Sequence, residues 1–251
     1  MKILLESLTA IALAASACGF AQAQAKPPSH GVSAGMSGSD VSGQVRLVEG
    51  KSGKATRDRS GVVFWLEPAS GIKPTGLTSN RTMYRMVQHN KQFEPHLLVV
   101  PLGSVVAFPN LDPWFHNVFS LYRGKRFDLG LYEAGAQKAV RFDRPGASYI
   151  FCNIHPEMMA VVLALDTRFY AVSNSFGDWS IPNVPPGRYK LHVWYENATP
   201  ETLNALESEL AIGSDHAVVR KMTVVFTPHN WLHHPNLYGH QYDPKGLTPT
   251  Y

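Results

Sequence analysis

The chain has 251 residues, with 23 Lys and Arg against 19 Asp and Glu, which gives a formal net charge of +4 at pH 7. The basic residues are scattered along the sequence, which argues against a nucleic-acid partner and favours an ordinary solvated surface. The 18 prolines and 20 glycines, together with short runs of Val, Phe and Tyr, predict an all-β protein.

The first 25 residues have the features of an export signal. A lysine follows the first methionine, residues 8–17 are apolar but too short to cross a bilayer, and the run AQAQA offers cleavage after Ala23 or Ala25. Cys18 lies in a weak likeness of a lipoprotein cleavage box, so a lipid anchor at Cys18 is the alternative. The sequence therefore predicts a periplasmic or secreted protein with no membrane span.

The segments between residues 26 and 80 are predicted as a linker, two strands and a loop. Residues 26–41 are rich in Pro, Gly and Ser, which is typical of a flexible linker. Apolar and polar residues alternate in 42–50, and a second strand is predicted at 61–68, after a polar turn. Residues 69–80 are predicted as a loop.

Residues 80–166 are predicted to form a β-sandwich of about seven short strands, because turn signals recur at short intervals. The segment 123–135 is interpreted as a longer connection rather than a strand. The predicted strands cover residues 84–90, 96–103, 104–110, 116–122, 138–142, 149–152 and 159–166.

Residues 167–227 contain further strands and one short helix. Thr199 is a suitable N-cap, Pro200 suits the first helical position, and Leu203, Leu206 and Leu210 have helical spacing. A last strand is predicted at 216–226, and residues 228–251 form a histidine-rich tail without periodicity.

The stretch FCNIHPEMM, residues 151–159, concentrates soft donor atoms. Cys152 is the only cysteine after the signal, although exported proteins usually keep cysteines in disulfide pairs. A metal-bound thiolate is therefore favoured over a free, buried thiol, because a free thiol would be subject to oxidation in that compartment. His155 and Met158 follow at intervals of three residues, and Pro156 stiffens the loop that carries them. His116, at the start of a predicted strand, is the natural candidate for a fourth ligand.

These residues resemble the cupredoxins, the family of small blue-copper electron carriers that includes plastocyanin, pseudoazurin and amicyanin. The resemblance covers about residues 84–166 and rests on FPN at 108–110, the His116–Asn117 pair and the pattern C-x-x-H-x-x-M, whose short loop is most similar to amicyanin. It implies a Greek-key β-sandwich that holds one type 1 copper ion. The implied ligands are His116, Cys152, His155 and Met158, with Asn117 helping to tie the two ligand loops together near the thiolate.

Neighbouring residues receive simpler interpretations. Met159 is the rival axial ligand, but successive strand residues alternate faces, so it is expected in the core. His89 and His96 are expected to be packed or hydrogen-bonded imidazoles. Four aromatic residues are expected to shield the site from water: Trp114, Phe115, Tyr149 and Phe151. The histidines of the tail are expected to be surface residues, with a second metal site or a copper-loading arm as the alternative: His229, His233, His234 and His240.

A second resemblance concerns residues 177–196, GDWSIPNVPPGRYKLHVWYE, which are similar to carboxypeptidase-regulatory-like, transthyretin-like β-sandwich modules. Such modules open with a V-x-G-x-V strand, and that pattern occurs far upstream, at residues 41–45. We therefore predict that 42–68 and 167–227 form one small structural or docking module, with 80–166 inserted between its strands. The alternative is that the early strands extend the sheet of the 80–166 domain.

The resemblance to cupredoxins implies an exported type 1 (blue) copper protein that carries single electrons between redox partners. Four ligands would fill the coordination sphere, so no enzyme activity is expected. The alternative is a copper-binding or copper-delivery protein without an electron-transfer role. The sequence does not identify the redox partner.

Overall fold

The computed structural model describes residues 38–71, 83–121, 124–213, 218–228 and 236–240. The predicted signal peptide, Cys18, most of the linker and His229, His233 and His234 lie outside these ranges. No helix within them is long and apolar enough to cross a membrane.

The described residues are almost entirely β-structure, which confirms the predicted all-β class. They form 17 strands and one short helix, arranged in several sheets. In chain order these are β1 Ser39–Glu49, β2 Val63–Pro68, β3 Tyr84–Arg85, β4 Val87–His89, β5 Gln92–Glu94, β6 Leu97–Pro101, β7 Val105–Pro109, β8 His116–Ser120, β9 Phe127–Tyr132, β10 Gln137–Arg141, β11 Gly146–Phe151, β12 Met159–Leu165, β13 Tyr170–Val172, β14 Asp178–Val184, β15 Gly187–Trp194, α1 Pro200–Leu206, β16 Ser208–Ile212 and β17 Val218–Phe226.

One hydrophobic core lies between the sheet β14-β1-β17 and the sheet β13-β2-β15-β16. Alternate residues of β1 and β14 point into it, as period-two strands with one buried face require. β1 pairs with β14 and β17, and β2 pairs with β13 and β15. Both early strands therefore pair with strands that follow residue 167. These pairings support our proposal that 42–68 and 167–227 form one module that receives 80–166 as an insertion.

A second hydrophobic core lies between the sheet β10-β7-β3 and the sheet β6-β12-β11-β8-β9. All seven residues of β12 are buried, because the strand is covered on both faces. Ala160 and Val162 face this second core. Leu163 and Leu165 face the opposite way and pack against Val63 of β2.

Several local predictions were wrong. The segment interpreted as a connection contains β9, which pairs with β8; Phe127 and Leu129 alternate with Asp128 and Gly130 and pack on the second core. The linker ends earlier than predicted, because β1 already begins at Ser39.

The predicted helix also ends earlier than the leucine spacing indicated. Thr199 caps it, accepting a hydrogen bond from the Thr202 N–H at 3.3 Å, and Pro200 begins it. It stops at Leu206, and residues 208–212 form β16 on the edge of β15. Leu210 is buried in the first core. As a strand, residues 208–212 provide partners for the edge of β15, which a longer helix would leave unpaired, so tertiary contacts override the local spacing.

Candidate metal centre

Three donor atoms meet at one point inside the second core. His116 Nδ1 lies 3.1 Å from His155 Nδ1, and Cys152 Sγ lies 3.7 Å from each of these nitrogens. The side chains of His116 and Cys152 are fully buried, and His155 is 6% exposed. Within the described ranges this is the one group of three such donors close enough to hold a metal ion. The structure therefore brings together three of the four predicted ligands.

Neighbouring strands place these donors. His116 is the first residue of β8, and Cys152 directly follows β11, which pairs with β8 through Phe151 and Phe119. His155 comes from the loop that leads into β12. This position explains why residues 36 positions apart in sequence meet: adjacent antiparallel strands present their ends side by side.

The loop from Cys152 to Met158 is closed by its own backbone hydrogen bonds. The Cys152 N–H donates to the Met158 carbonyl at 3.3 Å, and the Met158 N–H donates to the His155 carbonyl at 3.0 Å. Met158 is fully buried and belongs to the same core cluster as Cys152. The backbone of Met158 is thus hydrogen-bonded to the backbones of both Cys152 and His155, which constrains the loop that carries the sulfur and the imidazole.

The spacing of the three donors fits a single small cation. Two donor atoms at about 2.0–2.3 Å from one ion lie about 3.0–3.8 Å apart when the angle between the bonds is about 100–120°. The observed separations of 3.1, 3.7 and 3.7 Å fall in this range. Two imidazoles and one cysteine sulfur in a trigonal arrangement are the donor set that suits a redox-active copper ion.

Burial sets the protonation of the three donors. It lowers the pKa of His116, and burial followed by the proximity of His116 lowers the pKa of His155 to about 4. Both imidazoles are therefore neutral at neutral pH and have a nitrogen lone pair to donate. Burial raises the pKa of the Cys152 thiol, although the backbone N–H groups of Asn117, Ile154 and His155 act in the opposite direction. A bound cation would be needed to displace the thiol proton.

Asp112 contacts the site, and the sequence analysis missed it. Its Oδ2 atom lies 2.8 Å from His116 Nε2, within hydrogen-bond distance, and the Asp112 side chain is only 3% exposed. Burial opposes ionisation of this carboxyl, but the N–H groups of Lys91 and Asn90 and the His116 ring outweigh burial and lower its pKa. The available signal was an aspartate four residues before a predicted ligand, in NLDPWFH.

Asn117 contacts the site in a different way from the predicted one. Its side-chain amide donates to Asp128 Oδ1 of β9 at 2.8 Å, not to the ligand loop. Its backbone N–H points to the Cys152 sulfur. The link between β8 and the thiol is therefore made by the backbone, because the side chain at this strand position faces the neighbouring β9.

The other residues singled out from the sequence lie around the centre. Met159 and Phe151 pack together in a separate cluster on the far side of the sheet, so Phe151 does not shield the donors. Trp114 and Phe115 directly precede the buried His116 in the sequence, and their own side chains are 39% and 41% exposed. His89 is exposed and contacts the Asn90 amide.

The described part of the tail contacts the ligand loop. The Leu237 N–H donates to Asn153 Oδ1 at 2.9 Å, and Leu237 packs on the cluster that contains Phe151. His240 is exposed, and its carbonyl accepts from the Asn236 N–H at 2.7 Å. Asn153 lies between Cys152 and His155, so this tail segment braces the loop that carries both of them.

No family model and no curated protein matches the chain. Among solved structures, it is similar to the Cu-containing nitrite reductase (NirK) from Thermus scotoductus SA-01, at 21% identity over 34% of this chain and 22% of that chain, with a TM-score of 0.32. It is also similar to a purple cupredoxin from Nitrosopumilus maritimus, at 21% identity over 33% of this chain and 99% of that chain, with a TM-score of 0.30.

A third similar structure is a reduced Cu(I) form, at pH 4, of a mutant amicyanin. The identity is 16% over 40% of this chain and 98% of that chain, with a TM-score of 0.32. The chain thus spans less than a quarter of the nitrite reductase and nearly all of the two smaller proteins. The TM-scores are low and less than half of this chain is covered, so these similarities do not assign a function.

Proposed function

We propose that this protein is an exported type 1 copper protein that carries single electrons between redox partners. One copper ion would be held by His116, Cys152, His155 and Met158. The observation that carries the proposal is the buried triangle of His116 Nδ1, Cys152 Sγ and His155 Nδ1, with sides of 3.1, 3.7 and 3.7 Å. Met158, fully buried in the same core, supports the choice of axial ligand.

The donor set favours electron transfer over simple metal storage. Thiolate and thioether sulfurs suit Cu(I), and imidazole nitrogens suit Cu(II), so bound copper would supply a one-electron couple. The chain would keep the donors in one geometry, because His116 and Cys152 sit at the ends of paired strands in a packed core. Burial of the three donors would exclude water. Four protein ligands would leave no open position for a substrate, which supports a carrier rather than an enzyme.

The proposed setting is the periplasm or the outside of the cell, with another redox protein as the partner. Support comes from the predicted export signal and from Cys152, the only cysteine that would remain after its cleavage. Bound copper would protect this thiolate in an oxidising compartment.

The proposal is tested by adding Cu(II) to the purified mature protein and recording its visible spectrum. We expect an intense thiolate-to-copper band in the blue-protein range, which Cys152→Ser abolishes. His89→Gln, which changes an exposed histidine away from the donor triangle, serves as the control and should keep the band. A protein that binds copper but stays pale would overturn the electron-transfer proposal in favour of copper delivery.

The axial assignment has its own test. Met158→Leu should keep the blue band but raise the reduction potential, because loss of a donor and a more apolar site destabilise Cu(II) more than Cu(I). Met159→Leu is the matched control and should leave the potential unchanged, since Met159 packs in the separate cluster with Phe151. The assignment is wrong if the two variants behave the other way round.

A further inference from the structure

We propose that Asp112, held by the β4–β5 turn, is a positioning residue of this metal centre. Its carboxylate keeps His116 in the tautomer that carries the proton on Nε2, and its negative charge favours the more highly charged oxidation state of the bound ion. The second part rests on the proposed copper function. The first part concerns the metal-free chain and stands without it.

The geometry assigns the two ring nitrogens of His116 to different tasks. Nδ1 faces the Cys152 sulfur at 3.7 Å, and Nε2 lies 2.8 Å from Asp112 Oδ2. An ionised carboxylate only accepts hydrogen bonds, so the imidazole proton must be on Nε2. The Nδ1 lone pair is then directed at the metal position. The His116 side chain is fully buried and that of Asp112 is 3% exposed, so water does not compete for this hydrogen bond.

The carboxylate is itself held by backbone groups of a neighbouring turn. β4 and β5 are joined through Asn90 and Lys91, which have φ values of 53° and 55°. Such a turn presents successive N–H groups to one side, which makes a small anion-binding hollow. The Asn90 N–H donates to Asp112 Oδ1 at 2.7 Å, and the Lys91 N–H donates to Asp112 Oδ2 at 2.9 Å.

Lys91 adopts a left-handed backbone conformation, which is uncommon for residues other than Gly, Asn and Asp. Strained residues of this kind cluster where the surrounding structure fixes a functional group. The chain of contacts runs from the turn to Asp112, then to His116 Nε2, and through the ring to the donor nitrogen.

A purely structural role and a positioning role for Asp112 predict different effects of replacing it. If Asp112 only secured the turn, its replacement would lower stability and leave both the His116 tautomer and the metal preference unchanged. If it positions His116, the tautomer and the preference between oxidation states change even in a variant that folds normally.

The first test uses the metal-free protein and long-range ¹H–¹⁵N NMR of the imidazole rings. We expect the His116 proton on Nε2 in the native chain and a mixture of both tautomers in Asp112→Ala. A native chain with the His116 proton on Nδ1, or with both tautomers populated, would overturn the proposal. Because the native chain alone can give this result, the test does not depend on the folding of a variant.

The second test measures Cu(I) and Cu(II) dissociation constants for the native protein and for Asp112→Asn, which keeps the size of the side chain and removes its charge. Loss of an outer partner of a ligand histidine typically weakens metal binding about 10–100-fold. We expect the Cu(II) affinity to fall about tenfold more than the Cu(I) affinity, a change that corresponds to a rise of about 59 mV for a one-electron couple.

Two controls test whether the effect is specific to the Asp112 carboxylate. One changes the turn that holds it, and the other removes a different carboxylate near the centre. Asn90→Gly keeps the backbone N–H and suits a φ of 53°, so it should change the ratio of the two affinities by less than about twofold. Glu157→Gln removes an exposed carboxylate from the ligand loop itself and should have a smaller effect than Asp112→Asn, because water screens it. An Asp112→Asn ratio within twofold of the native one, or an equal effect of Glu157→Gln, would overturn the proposal.

Failure of this inference is distinguishable from failure of the proposed function. If the native protein shows no blue band with Cu(II), the copper function fails, and the NMR result still decides the role of Asp112. If the native protein is blue, Asp112→Ala leaves the His116 tautomer unchanged and Asp112→Asn leaves the affinity ratio unchanged, the inference fails and the function stands.

Discussion

His96 contacts two distant segments of the chain: Met159, the first residue of β12, and Glu196, which follows β15. Its Nε2 lies 2.6 Å from Glu196 Oε2, and the backbone of Met159 provides a second hydrogen bond to the ring. The side chain of His96 is 55% exposed and that of Glu196 is 12% exposed. The hydrogen bond to Glu196 outweighs the burial of the ring and raises the pKa of His96. Here a histidine expected from the sequence to be hydrogen-bonded has a charged partner 100 residues away.

This raised pKa predicts a pH dependence of stability. A pKa higher in the folded than in the unfolded state gives stability that is fully present below the unfolded pKa and is lost as pH rises through the folded value. Glu196→Gln should therefore reduce the free energy of unfolding more at pH 6 than at pH 8. The difference should stay below about 1 kcal/mol, because His96 is half exposed and solvent screens the pair. Urea unfolding at both pH values measures it.

The control is the same substitution in a His96→Gln background. There the difference between pH 6 and pH 8 should disappear, because the titrating ring is absent. If Glu196→Gln has the same pH-dependent effect with and without His96, the pair does not explain it.

At the scale of an element, β1 shows why one glycine is needed inside a strand. A Cβ added at Gly43 would lie 2.2 Å from the Arg220 carbonyl oxygen and 2.6 Å from the Trp179 ring. The Trp179 ring, in turn, stacks on Phe64 with the ring centroids 4.2 Å apart. The glycine of the V-x-G-x-V pattern therefore makes room for an aromatic pair in the first core, between strands that are far apart in sequence.

Gly43→Ala should consequently destabilise the protein by about 3 kcal/mol, since both the strand backbone and the Trp179 ring would have to move. Gly213→Ala is the matched control. At Gly213 an added Cβ meets no atom within 4 Å among the described residues, so stability should stay within about 1 kcal/mol of the native value. Thermal or urea unfolding compares them. Equal losses in the two variants would show that close packing at Gly43 is not the cause.

At the scale of the whole molecule, a further apolar cluster lies between the sheets of the two cores. Leu163 and Leu165 of β12 pack with Val63 of β2, and Trp65 and Trp194 pack against the same group. The outer face of the sheet that carries the candidate metal centre is therefore covered by the sheet β13-β2-β15-β16. This contact explains why β12 is buried along its whole length.

We expect Leu163→Ala to cost about 2–5 kcal/mol, the usual range for a buried leucine, and to weaken protection in both cores. Hydrogen exchange of backbone amides in β1 and in β11 measures the two cores separately. Leu131→Ala is the control, because Leu131 is 54% exposed and its loss should change stability by no more than about 0.5 kcal/mol. Loss of protection in β11 alone would show that the cores unfold independently.

The sequence by itself determined the class of the fold and most of the donor set. Alternating apolar residues in segments such as 42–50 indicate strands, because the side-chain period of a strand is fixed at two. Cys152, His155 and Met158 lie on one short loop, so their proximity follows from chain connectivity alone. His116 required one further assumption, that two predicted strands end side by side, and the pairing of β8 with β11 supplies that contact.

Only the tertiary structure decided which groups surround the donors. Asp112 accepts hydrogen bonds from the Asn90 and Lys91 N–H groups because the turn between β4 and β5 lies against it, and no local sequence pattern records that approach. The partner of Asn117 and the buried status of both faces of β12 likewise depend on strands that are distant in sequence. Periodicity and loop spacing are local properties that a sequence states directly. Hydrogen bonds between distant segments follow from how sheets pack, so they emerge only when the chain is folded.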